Sequence, residues 1–104
     1  MQFDVYLNTN EVTSDRFPYL LDVQAELLDA LETRMIIPLR SKERMAGRPL
    51  DRLMPEVQLP DGAYVLSTPH MASMPKKWLG QRVANLNASR DAIVAALDLL
   101  LTGV

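Results

Sequence analysis

The 104-residue chain has no cysteine, one histidine and four glycines. Without thiols it can form no disulfide, thiolate metal site or nucleophilic cysteine. With His70 alone, one chain cannot build a two-histidine metal site. No glycine-rich phosphate loop or metal-ligand cluster is visible, so no cofactor is expected. Charge of one sign is also lacking: 11 Lys and Arg stand against 13 Asp and Glu, for a net charge of −2. Specific or strong binding to nucleic acid by the chain alone is therefore not expected, although a local basic patch stays open. No apolar run is long enough to cross a bilayer. The start, Met1-Gln2-Phe3-Asp4-Val5-Tyr6, has no basic segment leading into an apolar one, so the chain reads as cytoplasmic. What is present is ordinary for a folded domain: 48% hydrophobic and 23% charged residues. The length fits one domain, residues 1–104, whose limited core would gain from dimerisation.

Periodicity gives a mainly β reading. Phe3, Val5 and Leu7 alternate with Gln2, Asp4 and Tyr6, which marks a half-buried strand. Asn8-Thr9-Asn10 and Thr13-Ser14-Asp15 form a loop. Tyr19, Leu21 and Val23 then alternate with Leu20, Asp22 and Gln24 as a second strand. Residues 25–31 read as a loop or a brief helical turn. Arg34-Met35-Ile36-Ile37-Pro38-Leu39 is a compact apolar strand, and its proline requires an edge or a bulge on one side. Residues 41–53 carry Lys42, Arg44, Arg48 and Arg52 with Gly47 and Pro49, as a surface excursion. Val57 and Leu59 enter a hairpin that turns at Pro60-Asp61-Gly62 and returns over 63–68. Met71-Ala72-Ser73-Met74-Pro75 is a further short strand. The last element is a helix, with Asn87 expected as N-cap, Asp91 near its positive end, and Ile93, Ala96, Leu97 and Leu100 at helical spacing. Val94, Ala95, Leu99 and Leu101 make its other side apolar too, so more than one neighbour has to bury it.

Catalytic chemistry is hard to place. His70, in a Thr-Pro-His turn, reads as a surface residue, and Glu26, Asp29 and Glu32 read as a solvated face. Asp22 could be a buried, hydrogen-bonded acid, but no catalytic partner accompanies it.

Several segments, in order, resemble the CcdB family of toxin–antitoxin toxins. The opening Met1-Gln2-Phe3-Asp4-Val5-Tyr6 is similar to its MQFxVY start, and Leu21-Asp22-Val23-Gln24 to its VDVQ strand. Arg34-Met35-Ile36-Ile37-Pro38-Leu39 is similar to RxVIPL, Met71-Ala72-Ser73-Met74-Pro75 to MASxP, and the apolar C-terminal segment with Gly103-Val104 to the family's end. The resemblance implies an SH3-like barrel or twisted antiparallel sheet with a C-terminal α-helix, as in CcdB/MazF/Kid-like proteins. It also implies a homodimer that is not an enzyme. Such toxins bind the A subunit of DNA gyrase, trap gyrase on cleaved DNA, and are neutralised by the flexible tail of a CcdA-like antitoxin.

The gyrase-facing positions implied by that resemblance are Leu27, Leu28, Asp98, Leu101, Thr102, Gly103 and Val104. A helix end with free carbonyls and a glycine cap suits such a tip. Thr102 departs from the pattern, because it fills the position of a tryptophan that stacks on an arginine of gyrase. Two alternatives follow: a weakened or non-toxic relative that still binds antitoxin, and a MazF/Kid-like RNA endonuclease whose basic loop at Lys42, Arg44, Arg48 and Arg52 contacts phosphates.

Overall fold

The computed structural model describes residues 1–45, 47 and 51–104. Arg48 and Pro49 of the basic loop lie outside the described residues. Among these residues seven strands form: β1 (Asp4–Asn8), β2 (Tyr19–Asp22), β3 (Thr33–Ser41), β4 (Glu56–Leu59), β5 (Gly62–Leu66), β6 (Ala72–Pro75) and β7 (Leu79–Asn85). The helix α1 (Arg90–Thr102) follows them. Every ladder is antiparallel, in the order β4-β5-β3-β2-β1-β7, with β6 on β3. The sheet curls into a half-barrel around Val5, Leu21, Ile37, Leu39, Val57, Leu66 and Ile93. The fold is the one the resemblance implied.

The long strand β3 is the organiser. On one side it pairs with β2 over Ile36 to Leu39; on the other it pairs with β6 over Thr33 to Ile36 and with β5 over Leu39 to Ser41. Pro38 sits where the second partner changes. The N–H and C=O of one strand residue point the same way, and the Pro38 C=O accepts the Ser67 N–H at 2.9 Å on that side. The missing proline donor thus falls in the seam between β5 and β6, where no ladder bond is lost. The β4–β5 hairpin closes at Pro60 and Asp61, with Leu59 opposite Gly62, whose φ of 143° favours glycine.

Three details depart from the sequence reading. Leu7 is exposed while Asp4 is buried, where its carboxylate takes hydrogen bonds from Arg82 and Asn85. Asn87 does not cap the helix: it opens a 3₁₀ turn, Asn87–Ser89, and its N–H is accepted by Asn85 Oδ1 at 2.8 Å. The α-helix starts after Ser89 with no side-chain cap. Strand β7 had no counterpart in the pattern. Its Gly80 passes so close to β1 that a Cβ there would lie 2.7 Å from the Leu7 carbonyl oxygen.

Asp4 fastens β7 to β1. Its Oδ1 accepts Arg82 Nε at 2.7 Å and Asn85 Nδ2 at 2.9 Å. Burial raises its carboxyl pKa, but the hydrogen bonds from Asn85 and Arg82 and the nearby terminal amine outweigh that and hold it below the ordinary aspartate value. A depressed folded-state pKa gives stability that is present above the unfolded pKa and is lost as pH falls through the folded value. Urea midpoints of the wild type should therefore fall between about pH 6 and about pH 3, and those of Asp4→Asn should fall less. Parallel curves would show that Asp4 carries no such linkage.

Candidate partner-binding surface

The first part of the surface is the turn after β2. Register places Asp22 opposite Ile36, so Arg34, two residues away on β3, shares a face with Asp22. Both side chains are 1% exposed. Arg34 Nε donates to Asp22 Oδ2 at 2.8 Å. Nη2 lies 2.8 Å from the same oxygen, in ion-pair contact but without hydrogen-bond alignment. Nη1 reaches Asp29 Oδ1 at 2.9 Å. Asp29 is thus not simply part of a solvated face; it is drawn onto Arg34. Burial pushes the Asp22 carboxyl above the ordinary aspartate value, against the Gln24 N–H and the Arg34 guanidinium.

Gln24 completes the frame. Its Oε1 accepts the Met35 N–H at 3.0 Å, and its Nε2 donates to the Leu28 carbonyl at 3.0 Å. Glu26 accepts the Gln2 N–H. Between these anchors the 3₁₀ turn Glu26–Leu28 is held outward with no buried residue. Leu27 is 93% exposed and Leu28 47% exposed, and Leu31 beside them is half-exposed. The loop-or-turn reading of this segment resolves to a turn.

The second part is the end of α1. Ile93 and Ala96 are buried, and Val94 and Leu97 pack against the core. The helix rests on the 3₁₀ turns Thr68–His70 and Asn87–Ser89. Its last turn leaves that support: Leu101 is 67% exposed and Val104 77%. Gly103 closes the helix in the left-handed conformation, at φ 78°, with its N–H on the Leu99 carbonyl at 3.1 Å. Thr102 Oγ1 donates to the Asp98 carbonyl at 2.7 Å, which folds the hydroxyl back onto its own helix. The last turn has no basic residue and Asp98 is exposed, so nothing offsets the negative end of the helix dipole. The tip is apolar with a negative rim.

One helix end gathers Asp98, Leu101, Thr102, Gly103 and Val104. Leu27 and Leu28 stand on a separate element of the same chain. The sequence reading missed Leu31, which extends that turn, and Arg34, which holds it. The signal for Arg34 was present: a base at the start of one apolar strand and an acid at the end of its neighbour. Trp78 is 57% exposed in the 3₁₀ turn Lys76–Trp78. His70 is exposed and lies against Phe17, with ring centroids 5.5 Å apart. Among the described residues, no group of three or more His, Asp or Glu could hold a metal ion, and no helix is long and apolar enough to cross a membrane.

A buried ion pair adds little net stability, but removing one partner strands the other. Arg34→Leu should cost about 3–5 kcal/mol by urea denaturation. The double replacement Asp22→Leu/Arg34→Leu should recover much of that loss. A double variant as unstable as the single one would mean that Arg34 acts through packing alone.

The comparison with known families bears on the whole chain, because the CcdB protein family matches residues 2–103. Taken with the half-barrel and its helix, this match makes the chain a member of the CcdB family, the toxins of toxin–antitoxin systems.

Proposed function

We propose that this toxin is a cytoplasmic homodimer that binds the A subunit of DNA gyrase, traps gyrase on cleaved DNA, and is neutralised by a CcdA-like antitoxin. It acts by binding and not by catalysis. The observation that carries the reading is the apolar end of α1 standing clear of its own core, with Leu101 and Val104 in solvent. Single exposed apolar residues are common, but two at a helix tip beside Asp98 and the negative end of the helix dipole suit a partner that offers an apolar pocket rimmed by a cation. Leu27 and Leu28 supply a second apolar contact on a braced turn. Partial exposure of Leu99 and Leu100 along α1 supports the homodimer, since a second copy would cover them.

Thr102 favours a second reading, a weakened toxin that still binds antitoxin. Its hydroxyl is engaged with the Asp98 carbonyl, and it has no ring to stack on a guanidinium.

Two measurements test these readings. Purified protein should stall supercoiling by gyrase and leave linear plasmid with gyrase attached, and Leu101→Arg should abolish this while leaving the fold intact. Gyrase unaffected at micromolar toxin would end the proposal. Thr102→Trp should strengthen binding to gyrase by roughly tenfold to a hundredfold, the span of a buried tryptophan anchor. Unchanged binding would detach Thr102 from the contact.

A further inference from the structure

The basic residues differ in what they meet. Arg34, Lys42 and Arg82 each meet a carboxylate. Arg16, Arg40 and Arg44 form no ion pair among the described residues, yet all three line one pocket of about 470 Å³. Arg16 comes from the β1–β2 connection, Arg40 from β3 and Arg44 from the loop just after β3. Ser14 and Ser41 add hydroxyls, and Tyr64 forms a wall. The Tyr64 hydroxyl is already donated to Asp61 at 3.0 Å, and among the described residues only Asp15 brings a negative charge to the lining. Three guanidiniums against one carboxylate make a positive pocket on a protein of net charge −2.

We propose that this pocket binds a phosphate group. The Arg16 guanidinium lies over the Phe17 ring, 5.2 Å from its centroid, but none of the three meets a carboxylate among the described residues. Like charges gathered in this way repel one another, and a bound anion relieves that repulsion. Guanidiniums arriving from three directions, with two hydroxyls, offer more donors than a single carboxylate can accept. A tetrahedral phosphate, with several strong acceptor oxygens and close to two charges near neutral pH, matches them better. Tyr64 is 8% exposed, too covered to stack a base, so the pocket recognises the phosphate and not what it is attached to. The pocket draws on no residue of the apolar tip, so its fate is independent of the gyrase proposal.

Calorimetric titration of the full chain at low ionic strength tests this, with inorganic phosphate in one arm and adenosine 5′-monophosphate in another. Saturable binding is expected with a dissociation constant on the order of 1 mM or tighter. Arg16→Gln and Arg44→Gln, both at exposed positions, should each weaken it roughly tenfold, and Lys76→Gln, outside the pocket, should not. Equal affinity in the two arms assigns the site to the free anion, and tighter binding of the nucleotide assigns it to an esterified phosphate; either result upholds the site. No saturable binding overturns the proposal, as does binding unchanged in both arginine variants. A short acidic peptide that binds here without being displaced by phosphate also overturns it, by assigning the pocket to a protein partner.

Discussion

The Arg34 guanidinium, buried between Asp22 and Asp29, is the contact on which the rest of the arrangement turns. A charge in an apolar interior persists only when it is paired and hydrogen-bonded, so Arg34 requires β2 and β3 in the register that brings Asp22 to it. Having reached Asp22, the guanidinium keeps one arm for Asp29, beyond the end of β2. The chain between the two acids cannot lie flat on the sheet. It loops outward as a short turn, and Leu27 rides at its crest. The polar core thus determines where an apolar side chain is exposed.

The helix works in the opposite way. Its early turns are held by burial of Ile93 and Ala96 on the core. Burying side chains of this size contributes roughly 1.5–3 kcal/mol for an isoleucine and less for alanine. The last turn extends past that support, with a glycine stop and no cation to balance its carbonyls. Apolar surface and negative potential are left together at one end. The two exposed apolar features therefore have separate causes, one set by a buried ion pair and the other by a helix longer than the surface it packs on.

Much of this was legible in the residues. Alternation located the first two strands, a compact apolar run the third, and the Pro-Asp-Gly turn the hairpin. The apolar run of α1 was unmistakable, although its start was not: Asn87 is a good cap by type, but Asn85 already bonds its N–H and the chain makes a 3₁₀ turn first. Strand β7 escaped notice because bulges against β1 spoil its period, and because Gly80 there serves close approach rather than packing. The exposure of Leu101 and Val104 followed from the resemblance and not from periodicity, since a pattern that is apolar all round cannot say which side stays uncovered. The arginine pocket was hidden differently. Only Arg44 belonged to the basic loop that stood out in the sequence; Arg16 and Arg40 join it where the start of β2 meets the end of β3.

The most direct test of the account is amide hydrogen exchange on this chain, free and in complex with DNA gyrase. The account predicts slowed exchange over residues 98–102 and 26–31 in the complex, with the β4–β5 hairpin unchanged. Protection confined to the hairpin or another part of the sheet, with the end of α1 exchanging as fast as in the free chain, would contradict it.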